Sequence, residues 1–401
     1  MRNFYCSIIL LICCSIYSDA LPLWIAAPYF PNTGRSASTV FVIGEQAFVG
    51  LGYDGVDLKK SFYIFNNYSH QWYNAPDFHG FPRCAAVSFV IGNNGYVGTG
   101  TGLSTFSNDF WKYNSLNNTW SQVASMPGDA RHSAVAFTVF NKGYVGLGYS
   151  ATGLKKDLWQ YSDTTNSWTP KNDFNGAERK SASVFVLDNK AFIVNGDKGE
   201  LTNGCWQYDA VNDSWIQKTD FTGTPRSGCV AFTLNGKGIV GLGYDTLNHY
   251  CNDFMQYDTL TDSWMPFDSF PAAGRSGAVA FSFSTRAYVG LGYDSLYLRS
   301  VYYYAALNDE VKEINTAGNK ISLYPNPATD HFTLSYDFET GKKHYFSLFD
   351  INGKRWMHSL LSESKNTLEF KTDLLNNGIY FYRIETENKS VTCGKIYILK
   401  Q

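Results

Sequence analysis

The chain has 401 residues and a formal net charge of −2; only 17% of residues are charged, against 44% hydrophobic and 17% aromatic. A near-neutral field excludes recruitment of nucleic acid or anionic membrane by charge. The aromatic, glycine-rich composition favours β-structure over helix, and the length allows two or three domains.

The chain opens MRNFYCSIILLICCSIYSDA. Arg2, an apolar run over 4–17 and the small-x-small triplet Ser18-Asp19-Ala20 predict a secretory signal peptide over residues 1–20, removed after Ala20. The run is short for a membrane span. No later segment is long and apolar enough to cross a bilayer, so no transmembrane segment is expected in the mature chain. Neither Cys13 nor Cys14 follows the small residue that lipoprotein processing prefers. Five cysteines then remain: Cys84, Cys205, Cys229, Cys251 and Cys393. They are scattered, odd in number and form no C-x-x-C pair, which predicts free thiols rather than a disulfide framework.

The next element is GLGYDG, residues 50–55, which fits the G-x-G-x-x-G of a dinucleotide loop. The phrase recurs as VGLGYS (145–150), VGLGYD (240–245) and VGLGYD (289–294), with variants VGTGTG (97–102) and IVNGDK (193–198). A cofactor loop needs strand, tight turn and helix; here a further strand follows each copy, and only the first has the third Gly. No cofactor is expected.

The recurrence has a period near 48 residues. Trp24, Trp72, Trp120, Trp168, Trp215 and Trp264 mark it. An Arg follows each Trp by 11 residues (Arg35, Arg83, Arg131, Arg179, Arg226, Arg275), and a Gly follows each Arg by 17 (Gly52, Gly100, Gly148, Gly196, Gly243, Gly292). Within each unit four short runs of β-branched and aromatic residues alternate with turn residues. Four strands per unit at this period predict a propeller blade. The sixth unit ends at VYYYAA (301–306) without its Trp, so the strand at Trp24 is expected to complete the last blade and close a six-bladed ring over 21–307. The repeat resembles the kelch family in its Gly pair closing strand two, aromatic strand three and Trp opening strand four. It departs in spacing the glycines as Gly50-Leu51-Gly52 rather than side by side. The resemblance implies the fold and not a function, since the family both binds and catalyses.

Residues 308–320, NDEVKEINTAGNK, read as a linker. Beyond them, 321–401 shows alternating strands with Pro-Asn-Pro, Asn-Gly and Asn-Asn-Gly turns, which predict a small Ig-like β-sandwich. Tyr324-Pro325-Asn326-Pro327, FDINGK (349–354), Gly378-Ile379-Tyr380 with Arg383, and a terminal strand ending at Lys400 resemble the type A sorting domain of the type IX secretion system of Bacteroidota. That resemblance implies an all-β propeller delivered to the cell surface or medium through a translocon that reads 321–401.

Candidate site residues follow from propeller geometry, which puts the Arg series at the starts of the first strands around the pore mouth. Asp54, Asp245 and Asp294 recur where they would pair with it. Departures from the repeat, Thr101 and Asp197 (where other units carry Tyr), Lys198, Glu200 and Glu178, mark a pocket bordered by units two to four, to which Arg131 and Arg179 of the Arg series are added as binding candidates. Tyr53, Tyr149, Tyr244 and Tyr293 offer stacking faces for sugars. His79, His132 and His249 fall on this face and His70 on the other; their spacing fits no metal motif, and no metal is expected. No nucleophile motif or defensible carboxylate pair is present, and no basic patch interleaves with aromatics. These features predict an exported binding module for a glycan or an extracellular protein. The alternative is a carbohydrate-active enzyme similar to the six-bladed sialic acid epimerase, with Glu178 or Glu200 as base, or less closely to galactose oxidase.

Overall fold

A computed structural model of the chain describes residues 24–305, 321–337, 343–350, 354–361, 366–386 and 389–400. The signal peptide and linker readings lie outside these residues. The chain divides into two compact units, up to Ala306 and from Leu307.

The first unit is all-β. Six four-stranded antiparallel sheets form the blades. Blade 1 runs Thr39–Ile43, Gln46–Gly50, Phe62–Asn66 and Gln71–Ala75, and blades 2 to 5 repeat that order. Blade 6 takes Val279–Ser282, Arg286–Gly290 and Val301–Ala305 from the end of the repeat and Trp24–Ala27 from the start. Trp24 stands opposite Tyr304 and Ala27 opposite Val301 in that last pairing. The first strand of each blade lies innermost and touches the first strand of its neighbours, blade 6 touching blade 1. The six-bladed, all-β fold expected from the repeat is therefore present.

The markers explain why the ring holds. Each Trp indole N–H donates to a backbone carbonyl just past the preceding blade's last strand, at 2.8–3.2 Å: Trp72 to Pro28, Trp120 to Pro76, Trp168 to Ala124, Trp215 to Asn172, Trp264 to Thr219 and Trp24 to Asp268. Near the axis the residues two after each Arg (Ala37, Ala85, Ser133, Ser181, Gly228, Gly277) all have left-handed backbone, φ 52–64°. Each N–H donates to its counterpart's carbonyl in the preceding blade, Ala37 to Gly277 among them, so six hydrogen bonds form a closed circle. Closure of this kind leaves no blade without a neighbour and only the short outer strands as sheet edges.

The glycine pair has two separate reasons. The second Gly sits at φ +91 to +108°, where a side chain would be strained, and its N–H donates to the next blade's Arg carbonyl. The first packs its bare Cα against the third strand; at Gly50, Gly98 and Gly241 a methyl would overlap Phe62, Phe110 and Phe254. GLGYDG is thus strand end and turn, not a phosphate loop.

Third-strand tyrosines lie between blades. Tyr113, Tyr161, Tyr208, Tyr257 and Tyr304 donate to Asn118, Asn166, Asp213, Asp262 and Asp268. Burial pushes all five upward, Tyr161 to about 12. A folded pKa above the unfolded value of about 10 makes stability full below that pH and lost as pH rises through the folded values. The melting temperature should hold to about pH 10 and fall steeply above it; a flat profile from about pH 9 to about pH 11.5 would contradict this linkage.

The second unit has a three-stranded sheet (Ile321–Tyr324, His331–Tyr336, Thr367–Lys371) and a four-stranded sheet ordered Arg355–Leu361, His344–Phe349, Gly378–Thr386, Lys389–Ile398. Phe332, Leu334 and Phe370 from one sheet meet Phe346, Leu348, Ile384 and Ile396 from the other in one core. The Pro-Asn-Pro turn holds the last strand. Asn326 Oδ1 accepts the Tyr397 N–H at 2.9 Å, and the Ala328 N–H donates to the Tyr397 carbonyl. Of FDINGK, residues 351–353 lie outside the described residues.

Candidate functional site

The face carrying the loops between second and third strands is built on the six Arg residues. They are 0–2% exposed, so their guanidinium groups are buried in the blades rather than offered to solvent at the mouth. Each Nη1 donates to the carbonyl of the residue before the second Gly: Leu51, Thr99, Leu147, Asn195, Leu242 and Leu291. These six have φ 56–64°, an unfavourable conformation for a residue with a Cβ, and the Arg bond caps each one. Five of the six also lie over the ring six residues after the Trp, as Arg179 does over Phe174 at 4.9 Å; Arg131 has Met126 at that place.

The carboxylate partners are not Asp54, Asp245 or Asp294. Asp54 pairs with Lys59 at 2.7 Å, and Asp245 accepts the N–H groups of Leu247 and His249. Arg83, Arg131 and Arg226 instead make two-pronged pairs with Asp109, Asp157 and Asp253, the residue before the third strand, at 2.5–3.1 Å. The signal for this was present as an Asp 26 or 27 residues after the Arg in three units.

The residue after each Arg lines the mouth: Ser36, Cys84, His132, Lys180, Ser227 and Ser276. Each pairs across a short bridge with the residue after the second Gly: Tyr53, Thr101, Tyr149, Asp197, Tyr244 and Tyr293. The two halves of this ring differ. From blade 5 through blade 6 to blade 1, five half-buried tyrosines follow one another in tilted and T-shaped ring contacts. Centroids are 6.0 Å apart for Tyr244–Tyr250, 5.9 Å for Tyr250–Tyr293, 4.9 Å for Tyr293–Tyr297 and 5.5 Å for Tyr297–Tyr53. Tyr53 donates to the Gly55 carbonyl and Tyr244 to Asn248. Burial and the neighbouring phenols raise Tyr250 and Tyr297, which keeps them neutral donors.

Blades 2 to 4 make the polar half. The His132 ring lies 4.8 Å from Phe106 and 5.7 Å from Tyr149. Lys180 Nζ is 5.1 Å over the Tyr149 ring and 3.4 Å from Asp197. Burial, then the Lys180 cation, lowers His132 and holds its imidazole neutral near pH 7. Thr101 belongs to this half, beside a cleft of about 470 Å³ between the loops of blades 2 and 3, lined by Phe106, Asp129 and Thr152. Lys198 and Glu200 pair on the rim. Glu178 is exposed, whereas Arg131 and Arg179 are buried. The expected residues therefore divide into buried guanidiniums and a solvent-facing set.

Among the other histidines, His249 sits 3.7 Å from Asp245 and His79 is exposed against Trp111. His70 meets Arg286 at 2.7 Å. No group of three or more His, Cys, Asp or Glu among the described residues is placed to hold a metal. Cys84, Cys205, Cys229 and Cys251 are free thiols; the Cys393 side chain lies outside the described residues. No described helix is long and apolar enough to cross a membrane.

Comparison with known proteins agrees with the two-part architecture. Residues 89–127, from the first strand of blade 2 to just past its fourth, match the Kelch motif. Residues 322–399 match the Secretion system C-terminal sorting domain. A solved structure titled "Structure of YjhT" superposes with a TM-score of 0.59 at 19% identity, covering 69% of this chain and 95% of that one; at that identity the likeness carries the fold alone. No curated protein matches the chain. The protein is a kelch-motif β-propeller with a C-terminal type IX sorting domain. That domain implies engagement of the type IX secretion machinery and a secreted or outer-membrane surface location.

Proposed function

We propose that the propeller is an exported binding module that takes a glycan on its loop face. The observation that carries this reading is the arc of five tyrosines, Tyr244, Tyr250, Tyr293, Tyr297 and Tyr53, on one side of the mouth. Flat amphipathic rings with a hydroxyl at the edge suit sugars, whose C–H faces stack and whose hydroxyls hydrogen-bond. The hydroxyls of Tyr250, Tyr293 and Tyr297 have no protein partner among the described residues. His132, Lys180 and Asp197 opposite supply polar contacts that would select orientation.

A glycan-array screen of the mature chain should return a selective hit. Replacing both Tyr250 and Tyr293 by Ala should weaken it about tenfold or more. A hit unchanged by the double substitution would sink the arc as the platform, and a blank array would favour an extracellular protein partner. The enzyme reading has one supporting observation, the neutral His132 imidazole beside Lys180. It predicts that His132→Gln abolishes mutarotation or epimerisation of an acidic sugar; equal rates in both proteins would end it.

A further inference from the structure

Blade 4 breaks the Arg pairing in a specific way. In blades 2 and 3 the carboxylate before the third strand takes donors from two sides. Asp109 accepts from Arg83 and from Trp111 Nε1 at 2.8 Å; Asp157 accepts from Arg131 and from Trp159 Nε1 at 2.8 Å. Blade 4 keeps both donors, Arg179 and Trp206, and has Gly204 where the Asp would stand. Built from Gly204, a Cβ would lie 3.6 Å from Arg179 Nη1, 3.6 Å from Trp206 Nε1 and 3.5 Å from Thr202 Oγ1. Thr202 Oγ1 accepts the Gly204 N–H, which leaves its own proton to donate. Three donors thus converge on a place from which the acceptor has been removed.

Arg179 is 2% exposed. It donates through Nε to Ala177 and through Nη1 to Asn195, and Nη2 has no protein partner among the described residues. Burial lowers it to about 10, with Asp220 and Cys205 offsetting only part of that cost; it remains a cation at neutral pH. Arg226, which retains Asp253, shifts upward instead. The other blades without the Asp are not equivalent. Arg35 and Arg275 find Ser61 and Ser300 at that position, at 3.2 and 3.1 Å, and the free Nε and Nη2 of Arg35 are sealed from solvent. In blades 2, 3 and 5 the corresponding carboxylates keep 22%, 29% and 36% of their side chains in water. In blade 4 Gly204 is itself buried, while Thr202 and Trp206 beside it are half-buried, so an entering carboxylate would come in past these two side chains.

The geometry points to a carboxylate-binding site on blade 4, in which an external carboxylate occupies the space vacated at Gly204 and accepts from Arg179, Trp206 and Thr202. A planar guanidinium with an indole N–H beside it matches the two oxygens of a carboxylate. A small organic acid and an acidic sugar both carry that group. This site does not depend on the tyrosine arc, and its test reads neither the arc nor an activity.

The mature full-length chain is labelled with ¹⁵N-tryptophan, and the Trp206 indole resonance is assigned from Trp206→Phe. Sodium acetate, sodium glucuronate and neutral glucose are titrated at constant ionic strength. Acetate and glucuronate should move the Trp206 resonance saturably while glucose leaves it in place; tighter binding of glucuronate than of acetate would assign the sugar acid as the better ligand. Gly204→Asp supplies the missing carboxylate from the chain itself at a position where its Cβ meets only ordinary contacts. It should weaken both anions about tenfold or more. Absence of a shift with either acid overturns the proposal, as does an equal shift in Gly204→Asp. Because that variant completes a pairing other blades already use, it should fold even if Arg179→Gln does not.

Discussion

Replacing Trp24 by Ala should lower the stability of the propeller by about 3–5 kcal/mol, the range for emptying a large aromatic site in a core. Trp24 is 6% exposed and packs between Phe254, Phe270 and Tyr304 at centroid distances of 5.3–5.5 Å. Its indole N–H also holds the Asp268 carbonyl of blade 5. The corresponding Trp in other blades sits on a strand continuous with its own sheet. Trp24 belongs to a four-residue strand at the opposite end of the chain from the rest of blade 6, so its loss weakens both a blade and the seam of the ring. Urea unfolding of wild type and Trp24→Ala measures this, with limited proteolysis near residue 24 as a second reading. A cost under about 1 kcal/mol would show that the seam is carried by backbone pairing alone.

Most of this fold was legible because a repeat samples each structural requirement six times. Trp, Arg and Gly recur at one spacing since each has a job no substitute performs: an indole N–H reaching the neighbouring blade, a guanidinium capping a left-handed carbonyl, a backbone at φ near +100°. The sorting domain was legible from Tyr324-Pro325-Asn326-Pro327 and its terminal strand for a similar reason, as those residues tie one end of the sheet to the other. The mouth was less legible. Tyr53, Tyr244 and Tyr293 occupy a repeat position, but Tyr250 and Tyr297, which join them into an arc, come from loops of unequal length. Neighbouring mouth residues lie some 48 positions apart in the chain, and only blade geometry brings them together. The Arg partners were obscured because Asp109, Asp157 and Asp253 are answered by Ser61, Ser300 and Gly204 in the other units; a motif present in half its copies does not announce itself by recurrence.

That partial recurrence yields the second large effect. Arg131→Met should cost about 3 kcal/mol, the lower end of the range for breaking a buried pair from one side, because Asp157 keeps 29% of its side chain in water. The change removes the two-pronged pair with Asp157 and the cap on the Leu147 carbonyl, and leaves the Trp159 indole as the carboxylate's remaining close donor. Arg179→Met has no paired carboxylate to strand. It forfeits the bonds to the Ala177 and Asn195 carbonyls but also removes a buried cation whose burial Asp220 offsets only in part, so the expected cost is about 1 kcal/mol. The two sites share a backbone and a depth of burial, and they differ in the carboxylate and in the side chain under the guanidinium, Phe174 for Arg179 and Met126 for Arg131. The difference in urea-unfolding free energy between the two variants therefore reads what the carboxylate contributes, less what Arg179 gains from the Phe174 ring. If Arg179→Met proves as costly as Arg131→Met, then Arg179 is already compensated by its surroundings and blade 4 has no vacancy to fill. If it is cheap, blade 4 keeps a guanidinium that its own stability does not require, which is the condition under which that cation is free to serve a ligand.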